Sequence, residues 1–253
     1  MASHPLLLLP PSAGKASGGT GDPWQTCAPH RFSELAPHRQ AVRAAVDGQI
    51  RRRAALTTLF GVSDRALADA LATWRAIDDA PTLPAYERYT GVVWDALDPA
   101  SLAAPARRRL RDWVVVVSGL WGLVGADDPL PPYRLPIGAR AGTLGGLAAS
   151  WRGQVGPSLE AAAAGAWVFD LLPDDHAVVV ADADIRRCRV HIVTNTAGGA
   201  RAMGHAGKAL KGRLARAVLE QGPRTPSALA TVQVPGLTVL DATRDTVVFV
   251  ADR

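Results

Sequence analysis

Three lysines stand in a chain of 253 residues that otherwise uses arginine, twenty-five times, wherever it carries a fixed cation. Lys15 lies in "PPSAGKAS", and Lys208 and Lys211 lie in "GHAGKALKGRLAR" at 204–216. Lysine offers a compact point charge and a pKa that can fall far enough for proton transfer or covalent chemistry, which guanidinium does not. Positions that keep lysine against this background are therefore candidates for an anion clamp or a nucleophile. Lys208 and Lys211 are three residues apart and share one helix face, where like charges repel unless an anion sits between them. His205, three residues before Lys208, and Arg216, eight after it, extend the stripe. The competing reading is a solvated basic face.

The string around Lys15 is not a phosphate loop. That motif needs a glycine five positions before the Gly-Lys pair and Ser or Thr directly after the lysine; here those positions hold Leu9 and Ala16. What survives is a lysine, with Ser12 beside it, on the loop after a first strand, where α/β sheets bind ligands. A solvated loop lysine is the alternative. In "TLFGVSDRALADAL", Gly61, Val62 and Ser63 have the form of a helix-hairpin-helix turn whose backbone amides meet a DNA phosphate. Leu67 and Leu71 would pack the following helix, and Arg65 with Arg51–Arg53 would supply charge for backbone contact. A simple helical turn competes with that reading. Asp182 and Asp184 could ligate a hard cation but fit a hairpin turn between apolar strands as well. His176 and His191 alternate with apolar residues as core or edge histidines do. No Cys/His spacing suits zinc, and "VSGLWG" around Ser118 is not a nucleophile elbow.

The elements that must position these groups follow from pattern. "LLLL" at 6–9 predicts a buried first strand, ended by a Gly/Ser/Pro-rich loop over 10–23. Helical spacing predicts a helix over 33–55 and two helical stretches over 56–74 around the Gly61 turn, the second capped by Ser63 or Asp64. A basic helix end should precede a strand over 113–117, whose unbroken Val run predicts cover on both faces. Residues 127–140 predict a proline-stiffened loop and 144–164 a helix. The last third predicts strands over 166–171, 176–181 and 188–193, a helix over 199–221, and strands over 231–234 and 245–250. The fold class expected is α/β or α+β: one domain over 1–253, with a mixed β-sheet flanked by helices.

Composition sets the outer bounds. The chain is 48% hydrophobic and 20% charged, enough for an ordinary core. No apolar run approaches the roughly 20 residues that cross a bilayer, so no membrane partner is expected. The run at 6–9 lacks the flanks of a signal peptide. Two cysteines, Cys27 and Cys188, imply no disulfide framework and fit a cytoplasmic protein. A net charge of +5 favours polyanions, nucleotides or phosphorylated metabolites, although an Arg-rich coding bias would give the same balance.

Taken in order, the motifs resemble the YaaA family of peroxide-stress proteins. "PPSAGK" at 10–15 is similar to the family's Ser-Pro-Ala-Lys or Pro-Pro-Ser-Glu-Gly-Lys, and "YTG" at 89–91 is present. "SGLWG" at 118–122, "PYRLPIGAR" at 132–140, Trp151 and "GKALKGRLAR" at 207–216 follow in the family's order. The resemblance implies a single domain of cantaloupe-like fold with a basic cleft and a helix-hairpin-helix element. It also implies double-stranded DNA binding and protection against peroxide linked to lowered free iron. By the same resemblance Lys15, Tyr89, Thr90, Ser118, Tyr133, Arg134, Trp151, Lys208, Lys211 and Arg216 should meet in the cleft. Ser12, Asp170 and His205 join that anion-binding set. The chain departs from the family at Ala13, which stands for a glutamate, and at Gly204 and Gly207, which stand for Ser and Ala. In "DLLPDDH", Pro173 and His176 replace Ser and Tyr, and a titratable His changes the chemistry available near neutral pH.

Two functions follow. One is a monomeric DNA-binding protein of the peroxide response that contacts duplex through Gly61, Val62, Ser63 and Arg65. The other is an enzyme on a small anionic or nucleotide-like substrate, with Lys15, Lys208 and Lys211 as clamp or nucleophile and His176 as general acid/base. Neither reading calls for a metal or a cofactor.

Overall fold

Four consecutive leucines, Leu6–Leu9, form strand β1, and all four are fully buried. The structure, a computed structural model, describes residues 4–26, 30–196, 199–202 and 205–251; the side chains of 195–206 and Cys27 lie outside that description. An apolar side chain at every position, rather than every second one, is the pattern of a strand with a layer on each face. β1 accordingly sits inside the sheet. It pairs in parallel with β2 (Val114–Ser118) on one side and with β4 (Trp167–Asp170) on the other. β3 (Gly122–Gly125) closes one edge antiparallel to β2. Beyond β4 come β5 (Arg186–Thr196) and β8 (Thr246–Ala251), both parallel, and β7 (Leu237–Ala242) at the far edge, antiparallel. β6 (Gly199–Ala202) pairs antiparallel with the end of β5. Among the described residues this gives one eight-stranded mixed sheet in the order β7-β8-β5-β4-β1-β2-β3.

Helices fill the connections. α1 (Ala36–Arg51), α2 (Leu56–Phe60) and α3 (Asp64–Arg75) lie between β1 and β2, with α4 (Ala85–Arg88), α5 (Val92–Leu97) and α6 (Ala104–Trp113). α7 (Leu147–Ala163) precedes β4, and α8 (Asp174–Ala177) follows it. α9 (His205–Gln221) and α10 (Pro226–Leu229) lead to β7. α6 packs on β1 and β2, and α9 packs on β5, α6 and α5. The core is continuous, running from Leu35 and Val42 through Trp121 and Trp151 to Phe249.

Three expectations are corrected. Residues 176–181 are not a strand: α8 and a 3-10 turn at Val178–Val180 occupy them. Pro173 starts the helix, Asp174 and Asp175 favour its positive end, and the turn buries Val179 and Val180 against α7. Asp182 and Asp184 are therefore in no hairpin; Asp182 pairs with Arg152, and the Asp184 amide donates to Glu160 Oε1 at 2.8 Å. Residues 199–202 are strand, so the long helix starts at His205. The strand expected over 231–234 lies at 237–242 instead, and 231–234 contributes only an isolated bridge from Val234 to Leu237, whereas the strand expected over 245–250 is present at 246–251.

The order of connections creates a crevice. From β1 the chain goes to β2, its neighbour on one side, whereas from β4 it goes to β5 on the other. The carboxyl ends of β1 and β4 thus open side by side where strand order reverses, the place where open α/β sheets hold ligands.

Candidate functional site

A cleft of about 820 Å³ lies at this reversal. Its floor and one wall are the Pro10–Gly14 loop after β1 and the Leu172–His176 segment after β4. Thr90–Trp94 at the start of α5, Arg189–Ile192 of β5, and Gly207, Lys208 and Lys211 of α9 complete it. The Ser12 hydroxyl accepts from the Thr90 amide at 3.0 Å and donates to the Gly14 carbonyl, fixing the Pro10–Gly14 loop against the segment that enters α5. Gly212 sets the α9 wall. A Cβ there would stand 2.2 Å from the Val93 carbonyl oxygen, so glycine is what lets α9 lie directly on α5 with Lys208 and Lys211 at the cleft.

The cations of the cleft differ in setting. Lys208 is exposed, whereas Lys211 is half-buried, and burial holds its pKa below the usual lysine range against the opposing pull of Asp170. Asp170 is fully buried at the end of β4. It accepts from Arg187 at 2.5 Å, from Arg189 at 3.0 Å and from the Leu172 amide at 2.8 Å. Arg189 also reaches Asp174 at 2.9 Å. The carboxylate thereby aims two arginines that would otherwise swing free. His176 Nδ1 lies 2.9 Å from Asp175 Oδ1, and this contact lowers the Asp175 pKa. Burial and the Arg189 charge lower the His191 pKa. Among the described residues no group of three or more His, Cys, Asp or Glu side chains gathers as a metal site.

The residues anticipated from the sequence divide into five places. Ser12, Thr90, His176, Lys208 and Lys211 line the cleft, and Asp170 braces it from beneath. Lys15 is not among the lining residues. Its Nζ donates to the Ser12 carbonyl at 2.6 Å and sits 4.2 Å from the Tyr133 ring centroid and 5.5 Å from that of Tyr89. Tyr133 Oη lies 2.8 Å from both Tyr89 Oη and Ser118 Oγ, so Lys15, Tyr89, Ser118 and Tyr133 form a second group behind the Pro10–Gly14 loop. Burial raises Tyr133 to about 12 and drops Lys15 to about 7, with the Arg134 charge adding to the latter.

The others stand apart. Trp151 is fully buried, donates from Nε1 to the Gly119 carbonyl at 2.9 Å, and presses on Gly122, where a Cβ would meet its ring at 2.5 Å. Arg216 ties α9 to the end of α5 through the Leu97 and Asp98 carbonyls and pairs with Glu220 at 2.9 Å. Gly61, Val62, Ser63 and Arg65 lie at the α2–α3 turn, where Arg134 donates to the Phe60 and Gly61 carbonyls at 3.0 and 2.8 Å. Gly61 there adopts φ +60°, which suits glycine, and its amide and that of Val62 bond to Thr58 and Thr57. Ser63 precedes α3 without a side-chain cap bond. Gly204 and the side chain of His205 lie outside the described residues. Sequence reasoning did not single out Arg189, Asp174, Asp175 or His191 for the site. One arginine among twenty-five carries no signal, and the alternation around His191 pointed only to a core or edge histidine.

Residues 6–242 match the family model described as peroxide stress protein YaaA. A UPF0246 protein of Streptomyces coelicolor is 36% identical over 234 residues, covering 88% of this chain and 87% of its own length. A UPF0246 protein of Corynebacterium glutamicum strain ATCC 13032 is 31% identical over 241 residues, 92% of this chain and 94% of its own. With its motifs in order and nearly its full length matched, the chain belongs to the peroxide stress protein YaaA family.

Proposed function

We propose that this YaaA-family protein binds a small, nucleotide-like anion in the cleft at the β1/β4 reversal and acts on it. The observation that carries the reading is the meeting of Lys208, Lys211 and Arg189 with two histidines around one opening. Its size supports the choice of ligand, because about 820 Å³ falls in the range of small-molecule sites and is far too little for a duplex. His176, oriented through Nδ1 by Asp175, keeps Nε2 for proton exchange with a bound group. Lys208 and Lys211 would hold the charge that gathers there.

Calorimetric titration with ATP, and separately with inorganic phosphate, tests the reading. Lys211→Ala should weaken ATP binding about 10- to 100-fold, the worth of one charge-assisted hydrogen bond. The Lys208→Ala/Lys211→Ala variant should bind neither probe. Unchanged affinity in that double variant removes the cleft from the function.

A second reading, duplex DNA, has its own observation. The α2–α3 turn is exposed at Gly61, Ser63 and Arg65, and Arg51–Arg53 at the end of α1 are exposed too.

A further inference from the structure

The cleft that gathers the cations also holds two carboxylates. Asp174 and Asp175 open α8 on the wall that follows β4, and both line the cleft with Lys208, Lys211 and Arg189. Among the described lining residues, three cations against two carboxylates leave one net positive charge. A site for a bare polyanion loses by each carboxylate it keeps, because like charges at close range repel. The fold has little need of them here. The Asp174 side chain is 98% exposed, and an ion pair that open to water contributes little to stability. Its Oδ1 stands 2.9 Å from Arg189 Nη2, while Arg189 Nη1 lies 3.0 Å from buried Asp170. One side of the guanidinium is thus braced from beneath, and the other is lent to an exposed acid that an incoming anion displaces. Asp174 is then left in the cleft without its partner, beside the group that replaced it. Its charge already reaches Lys211 and His191. Asp175, 2.9 Å from His176, lines the same opening. A freed carboxylate next to a bound anion weakens binding unless the ligand brings a cation to it. Val92, Trp94 and Leu172 add an apolar lining that suits a short carbon body between two such charges.

We propose that the cleft's own ligand is a zwitterion, an anion that carries an amine. Its anionic group takes Arg189 from Asp174 and is held with Lys208 and Lys211, and its ammonium is received by Asp174 and Asp175. The inference rests on the reading of the cleft as an anion site and adds the class of ligand. ATP and inorganic phosphate, which lack an ammonium, report only the anionic half of the site.

Phosphoethanolamine and ethyl phosphate test this by calorimetric titration of the full chain, since they share a phosphate and a two-carbon chain and differ in the ammonium. The parent should bind phosphoethanolamine about tenfold more tightly, the worth of one charge-assisted hydrogen bond. In Asp174→Asn/Asp175→Asn the two compounds should bind alike. Ethyl phosphate should also bind that variant more tightly than it binds the parent, because Arg189 is no longer shared. Asp174→Asn alone, at an open position where folding is not at stake, should remove most of the preference. Equal binding of the two compounds by the parent, with both lost in Lys208→Ala/Lys211→Ala, overturns the zwitterion and leaves the anion site standing. A preference that survives in the double asparagine variant also overturns it, because the ammonium would then lie elsewhere. A parent that binds neither compound, nor ATP or inorganic phosphate, overturns this proposal and the anion site together.

Discussion

His30 shows how a single residue can set the protein's response to acid. Its ring stacks 3.6 Å from that of Trp24, which in turn lies 4.1 Å from Trp121, and burial with the nearby Arg39 charge drops its pKa to about 4. An unfolded histidine titrates near 6.5. Because the folded value is the lower one, the stabilising effect is fully present above about 6.5 and is lost as pH falls toward 4. His30→Phe keeps an aromatic ring against Trp24 and removes the titration. It should match the parent at pH 7.5 and exceed it by about 1 kcal/mol at pH 4.5 in urea unfolding, the shift being discounted for the solvent that reaches a half-buried ring; equal loss in both proteins would refute this account. Asp170 makes the complementary case. Its carboxylate is fully buried between Arg187 and Arg189, and Asp170→Asn leaves Arg187 without its counter-charge and Arg189 with Asp174 alone. A loss of about 3 kcal/mol is expected in the same unfolding measurement, together with weaker ATP binding as Arg189 loses its brace. At this scale lysine scarcity was a readable signal and led to Lys208 and Lys211 on the cleft. It could not separate them from Lys15, because which side of a loop a lysine occupies depends on what packs beneath it. Trp151 was visible as a motif residue, but its burial under Gly122 was not.

Elements were legible where one force dominated. The Leu6–Leu9 and Val114–Val117 runs bury every side chain, so hydrophobicity alone marks them as interior strands. "HAVVVA" misleads for the opposite reason: its β-branched residues favour a strand, yet Pro173 and two aspartates start a helix just before them. Local start signals won over propensity. The 199–202 segment could not be read as a strand because its partner, β5, supplies the pairing from outside the window. Gly212 was quoted in a motif without a task, and the task is packing. Gly212→Val would drive its side chain into the Val93 carbonyl and Ala96. The expected outcome is a loss of about 1–3 kcal/mol in urea unfolding, with ATP affinity falling as α9 lifts from α5. A variant of normal stability and affinity would show that the helices separate freely and that the α5–α9 contact does not set the cleft.

On the scale of the whole molecule, a chain of net charge +5 includes two basic regions that salt can tell apart. The cleft gathers Lys208, Lys211 and Arg189 around an opening of ligand size, while Arg51–Arg53 and Arg65 stand exposed around the α2–α3 turn. If duplex DNA binds at that turn, about three or four phosphates are neutralised, and affinity should fall about 100-fold between 50 and 200 mM salt. Arg65→Glu should weaken such binding further and flatten its salt slope, whereas Lys208→Ala/Lys211→Ala should leave it alone. ATP held in the cleft should respond in reverse: indifferent to Arg65→Glu, lost in the double lysine variant, and less steep in salt because fewer counterions are released. The Gly61 and Val62 amides already bond within the turn, which leaves the arginine side chains and the amides that open α3 to meet a phosphate. Duplex affinity should therefore depend on charge and not on the turn's glycine. Fluorescence anisotropy with a labelled duplex across the salt series, run beside ATP calorimetry on the same variants, separates the two regions. Duplex binding that disappears with the lysines would join them into one surface and overturn the division.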